Sequence, residues 1–236
     1  MIRRLLKVFV FLFIALAVIV TRPWQYLPTH WDPSAPLVLT DPMNPVTRWK
    51  LSALDASPQA CLDVLDSAPA NFIDYLPLED YTPVAGCPLS NVVRVTATGV
   101  AFSSRFTAAC PLLVRWVMFE YQALQPLAQA HLNSPVDTVE HLGTFACRNV
   151  YGRERGRRSQ HATASAFDVA GFTLENGEQV NVLGDWNNAE APAKADFLQA
   201  AHQAACGYFG TVLGPDYNQA HANHFHLDSS RFSICR

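Results

Sequence analysis

The chain has 236 residues, half of them hydrophobic and 16% charged, a composition that suits one folded domain with extensions and excludes a disordered chain. With 17 basic and 20 acidic side chains the net charge is −3, and without Arg3, Arg4 and Lys7 it is −6. That balance excludes a general nucleic-acid binder.

Met1 to Lys7 is basic, and Val8 to Val20 is apolar without a break. Residues 1–21 therefore read as a signal-anchor or a signal peptide. No small-residue cleavage site follows the apolar run, which favours an anchor: residues 5–20 would tether the chain, and everything beyond them would lie outside the cytoplasm. Residues 22–50 contain Pro23, Pro28, Pro33, Pro36, Pro42 and Pro45 and no glycine, the composition of a stiff, extended linker. Trp24, Tyr26 and Trp31 in it would sit at the membrane interface or pack back on the domain.

The domain covers residues 51–236. Ser57-Pro58 is a helix start, residues 71–88 look irregular, and Val92 to Thr96 alternates like a strand. A largely buried helix is expected from about Ala108 to His131, with Pro126 kinking or ending it. Val136–Cys147 and residues 165–173 read as strands. Glu175-Asn-Gly177 turns the chain into an antiparallel return over Gln179–Leu183. A helix over Ala191–Gly207 and a strand through the last histidines complete an α+β fold: a small antiparallel sheet carrying a metal site, with helices packed on one side. Six cysteines, none in a Cys-x-x-Cys pair, behind an export segment predict three disulfides. Taken in chain order they would pair Cys61–Cys87, Cys110–Cys147 and Cys206–Cys235.

Two stretches carry the chemistry. His221-Ala-Asn-His224-Phe-His226-Leu-Asp228 holds three of the eight histidines within six residues. In an extended strand His224, His226 and Asp228 project from one face. Ser159-Gln-His161 is followed by Asp168. Two histidines and a carboxylate make a zinc set with an open fourth position, and a further histidine can exchange a proton with the bound water. His30, His131, His141 and His202 read as structural. Arg153, Arg155, Arg157 and Arg158 form a basic loop, either solvated or a rim that attracts carboxylates.

Ser159-x-His161, Asp168 and His224-x-His226 resemble the zinc peptidases of the lysostaphin and D-Ala-D-Ala-peptidase type, whose fold the hedgehog signalling domain shares. Gly143 to Arg148 resembles the strand ending in arginine in the D-Ala-D-Ala branch. The spacing of His221, His224 and His226 is like that of penicillin-insensitive murein endopeptidases. The six cysteines, Leu213-Gly-Pro-Asp-Tyr217 and His224-Phe-His-Leu-Asp228, across residues 58–236, look like the bacterial extensin-like C-terminal domain.

The resemblance implies one zinc ion on His161, Asp168 and His226. It makes His224 the unligated catalytic partner and Arg148 the holder of a substrate carbonyl or carboxylate. His221 and Asp228 would stand behind them. Ala164 occupies a position where the family often has glycine. Asn223 stands where another branch has a glutamate base, so a histidine or the zinc hydroxide itself must do that work. The implied activity is an exported peptidase, an endopeptidase or D,D-carboxypeptidase-like enzyme. It would act on peptidoglycan peptides in the bacterial periplasm or cell envelope, tethered to the inner membrane. The alternatives are a non-catalytic zinc domain that binds cell-wall peptide or protein, and a metal-free disulfide-bonded domain.

Overall fold

The computed structural model describes residues 2–231 and 233–236; Met1 of the basic leader and Phe232 lie outside them. Helix α1 (Ile2–Thr21) is 20 residues long, about 30 Å at 1.5 Å per residue, which matches the hydrocarbon layer of a bilayer. Its large apolar side chains, Phe9, Phe11 and Phe13 among them, are exposed. By length and composition it can cross a membrane or serve as an export signal.

Residues 22–50 are only partly the extended linker expected. Short 3₁₀ turns at Pro23–Tyr26 and Thr29–Trp31 are followed by α2 (Pro45–Ala53). Asn44 caps α2 by accepting from the Val46 and Thr47 N–H groups, and Pro45 fits the first helical position, where no N–H is needed. Leu37, Leu39, Thr47 and Lys50 are buried, and the Gln122 side-chain amide donates to the Leu39 and Asp41 carbonyls. Enough apolar surface is available in Leu37 and Leu39 to draw the second half of this stretch onto the domain. Tyr26 and Trp31 stay exposed.

Helix α3 (Pro58–Asp66) starts where expected, although the Ser57 side chain makes no capping bond. Residues 71–88 are ordered as strands β1 (Asp74–Pro77), β2 (Tyr81–Val84) and β3 (Cys87–Leu89). Strands β4 (Val92–Ala97) and β5 (Ala101–Ala109) follow as an antiparallel pair. The long helix consists of α4 (Cys110–Phe119), a π-turn at Glu120–Leu124 and α5 (Gln125–Leu132). Pro126 neither ends nor breaks it: the wider π-turn just before it, closed by Gln125 N–H to the Glu120 carbonyl, makes room for the ring. Asn133 in the left-handed region ends the helix.

Strand β6 (Val136–Gly143) stops four residues short of Cys147, at Gly143 with φ of 108°. Strands β7 (Ala166–Leu174) and β8 (Gln179–Asn181) pair antiparallel, then come α6 (Val182–Asp185), α7 (Pro192–Ala205), β9 (Thr211–Leu213), β10 (Phe225–Asp228) and β11 (Ile234–Cys235). The fold is α+β, but the sheet is neither small nor wholly antiparallel. It has nine strands in the order β1-β4-β5-β6-β7-β10-β9-β11, with β8 also on β7, and the β5–β6 and β9–β11 pairs are parallel. A separate hairpin joins β2 and β3.

Alternation along β7 and β10 positions the site. Phe167 and Val169 of β7, and Phe225 and Leu227 of β10, are buried in the core. Phe167 packs on Trp116 of α4, and Phe225 on Trp186 and on His202 of α7. The intervening Asp168, His226 and Asp228 must then point to the face away from these helices.

The disulfides are Cys61–Cys110, Cys87–Cys147 and Cys206–Cys235. Only the last follows chain order. Helix α4 packs beside α3, which brings Cys110 to Cys61. Strand β3 lies beside the turn carrying His161, which leaves Cys87 facing the segment that ends at Cys147.

Candidate metal centre

Three elements meet here. In the antiparallel pairing of β7 with β10, His226 lies directly opposite Asp168. His161 comes from a 3₁₀ turn (Gln160–Thr163) whose start is capped by Ser159, the hydroxyl oxygen accepting from the His161 N–H. Ala164 ends that turn at φ of 52°, a left-handed conformation that explains the preference for glycine there. Its methyl group is buried against Leu89 and Val92.

His161 Nε2 lies 3.2 Å from Asp168 Oδ2 and 3.1 Å from His226 Nδ1, and His226 Nδ1 lies 3.0 Å from Asp168 Oδ1. The other ring nitrogen of His161 is 3.0 Å from the Thr144 carbonyl. A carbonyl only accepts, so Nδ1 carries the proton and Nε2 presents a lone pair. That lone pair faces a carboxylate oxygen. Acceptors aimed at one another repel unless a proton or a metal cation lies between them. Zinc ligands with bonds near 2.0–2.2 Å stand roughly 3.3 Å apart around a tetrahedral ion, so this donor set fits zinc in type and spacing.

The ionisation states agree with a cation-binding pocket. Burial disfavours charge on Asp168, but the His226 imidazole that donates to it outweighs this and holds the carboxyl well below the usual carboxylate range; His161 adds to that only when a proton or a cation lies between its Nε2 and the carboxylate. Burial likewise opposes charge on His226, and the carboxylates of Asp168 and Asp228 overcome it, raising the imidazole to about 9. Without metal, a proton on His226 therefore takes the cation's place.

His224 stands just before β10, not on it, so the expected strand alternation does not apply to it. Its Nε2 is nevertheless 3.6 Å from Asp168 Oδ1, and its Nδ1 bonds Asn223 Oδ1 at 2.8 Å. Burial, together with His226, His161 and Arg148, lowers its pKa despite Asp168. His221 lies in a 3₁₀ turn (Gln219–His221), bonded at Nδ1 to Asn218 Oδ1, with its ring 5.2 Å from that of His224. Burial and the neighbouring His224 and His226 push it down to about 4. Asp228 braces the site from behind: Oδ1 accepts from the Thr211 and Ser230 N–H groups, and Oδ2 is 3.6 Å from His226 Nε2.

These histidines open on a cleft of about 450 Å³ that Arg148, Arg157, Tyr151 and Tyr217 also line. Arg148 is exposed there. Of the four loop arginines only Arg157 lines the cleft; Arg153 instead lies over the Tyr151 ring. The Tyr151 and Tyr217 hydroxyls meet at 2.9 Å. Sequence reasoning missed these tyrosines, the orienting roles of Asn223 and Asn218, and the Thr144 carbonyl. The asparagines were detectable as amides one and three residues before a histidine; a backbone carbonyl leaves no sequence signal. His202, Cys206 and Cys235 also cluster at ligand distance, but the two sulfurs are bonded to each other and are not thiolates.

A family model described as extensin-like protein C-terminus matches residues 59–236. The chain belongs to that family. No curated protein and no solved structure matches the chain. The extensin-like domain thus contains the whole candidate metal centre, the cleft and all six cysteines, while α1, α2 and the turns between them precede it.

Proposed function

We propose that this extensin-like domain is an exported zinc-dependent peptidase that cleaves stem peptides or cross-links of peptidoglycan in the bacterial periplasm. The observation that carries this reading is the convergence of His161, Asp168 and His226 within 3.2 Å of one another, with Asp168 and His226 on the wall of an open cleft and a third buried imidazole, His224, beside them. Helix α1 and the three disulfides agree with a location outside the cytoplasm, tethered to the inner membrane.

His161, Asp168 and His226 would hold the ion, which supplies an acidified water and a polarised carbonyl when bound. The remaining work falls to this chain's own groups. His224 donates Nδ1–H to Asn223, which leaves an Nε2 lone pair at the cleft wall, 3.6 Å from Asp168 Oδ1. Its lowered pKa keeps it neutral at pH 7, so Nε2 would take the proton of the attacking water and pass it to the amine that leaves as the C–N bond breaks. Asn223, in the position of another branch's glutamate, orients this base. Arg148 and Arg157 at the cleft meet the carboxylates of a stem peptide, and their planar forks suit that contact.

The test is digestion of purified muropeptides by the wild-type chain and by His224→Ala. Cleavage by the wild type and a loss of at least about 100-fold in the variant are expected for removal of a proton-transfer group. Equal cleavage by both removes the role of His224. Zinc binding with no cleavage by either moves the domain to the class of non-catalytic cell-wall binders.

A further inference from the structure

A second cleft, of about 650 Å³, lies between α2 and the β9–β10 end of the sheet and, among the described residues, shares no lining residue with the histidine cleft. Arg115 of α4 lines it and is only 7% exposed. One guanidinium nitrogen, Nη1, donates to the Tyr208 carbonyl at 2.7 Å, while Nε has no partner among the described residues. No carboxylate oxygen among the described residues lies within 4.0 Å of it; Asp55 and Asp228 act on it only through space. A buried guanidinium that no carboxylate contacts is costly, and a bound anion would offset that cost; Asp55, which acts on both Arg115 and Arg231, is the nearest competing charge. Arg48 and Arg231, both exposed, line the same cleft, and Trp49, 56% exposed, stands next to Arg48. Three arginines meet here in a chain of net negative charge, so the clustering does not follow from composition.

We propose that this cleft binds an oxyanion, a phosphate or carboxylate group carried by a larger ligand. Arg115 supplies a fixed positive charge at its floor, its Nη1 held by the Tyr208 carbonyl, Arg48 and Arg231 close over the charge, and Trp49 packs on the body of the ligand. Two sources fit this chemistry. The wall formed by α2 begins at Pro45, 24 residues beyond the end of α1 at Thr21, which brings lipid phosphates within reach of the chain. A soluble or cell-wall phosphate or carboxylate is the other source. The site also touches the metal centre at one point, because the Ser230 N–H in its wall donates to Asp228, the carboxylate behind His226.

The experiment is calorimetric titration of the full chain, in non-ionic detergent with a chelator present, with inorganic phosphate. Saturable one-site binding is expected. Arg48→Ala combined with Arg231→Ala should weaken it at least tenfold and leave the melting temperature without phosphate unchanged, because both side chains are exposed. Arg115→Lys, which keeps the charge and removes the guanidinium that fixes it, should weaken it comparably. Equal affinity in the wild type and the surface double variant, or no saturable binding, overturns the proposal. Repeating the titration in nanodiscs of phosphatidylcholine and of phosphatidylglycerol separates the sources. Loss of phosphate binding in phosphatidylglycerol alone assigns a lipid headgroup, and equal binding in both assigns a soluble ligand; either result keeps the oxyanion site.

Discussion

Zinc uptake by this domain is predicted to be coupled to proton release, with a slope fixed by His226. In the metal-free protein Asp168 and Asp228 raise His226 to about 9 against the opposing effect of burial, so at pH 7 the site holds a proton where a zinc ion would go. Asp168 is held well below the usual carboxylate range and contributes no proton near neutrality. Binding at pH 7 should therefore release close to one proton per chain. The apparent affinity should rise about tenfold from pH 7 to 8 and less steeply from 8 to 9, about 50-fold or roughly 2.3 kcal/mol in all, and level off above about pH 9. Competition against a chromophoric chelator over that range gives the affinity, and an indicator dye in weak buffer gives the protons. An affinity that does not change between pH 7 and 9, with no proton released, would refute the clamped-proton picture of the empty site.

Two further predictions concern the scaffold. Cys87→Ser with Cys147→Ser opens a crosslink spanning 60 residues; denaturant unfolding should show a loss of about 4 kcal/mol, and a loss under about 1 kcal/mol would contradict the pairing. Glu120 is buried beneath Gly99, accepting from Thr98, Trp116 and the Gly99 N–H, and burial raises it to about 7 from an ordinary 4.5. The stability carried by its protonated form is complete below about pH 4.5 and lost as pH rises through about 7. Glu120→Gln should flatten the stability profile across that window, and an unchanged slope counts against the assignment.

Much of the centre was legible because its chemistry is local. His161 with Asp168, and His224 with His226, sit at separations that a short turn and a strand pair bring together, and residue type alone limits what such a set can bind. The use of Asn223 in place of a glutamate was visible only as a departure; the structure gives it a job, on His224 Nδ1. Ala164 shows a similar gap. Its left-handed backbone costs about 1 kcal/mol, which burial of its methyl group, worth about 0.8 kcal/mol, nearly offsets. What stayed hidden depends on distant partners. Strand β5 contains Ser103, Ser104 and Arg105, a weak strand signal until β4 and β6 flank it. The disulfides follow the packing of α3 on α4 and of β3 beside the His161 turn, neither of which cysteine spacing encodes. Leu37 and Leu39 lie in a proline-rich stretch whose composition says extended, yet burial draws them onto the domain.

The claim on which the rest depends is that His161, Asp168 and His226 hold one zinc ion. Elemental analysis of the purified chain tests it most directly. One zinc per chain is expected in the wild type and in His224→Ala, and none retained in Asp168→Ala or His226→Ala when circular dichroism shows each variant folded. A folded wild-type chain that takes up no zinc, or folded ligand variants that retain it, would contradict the assignment.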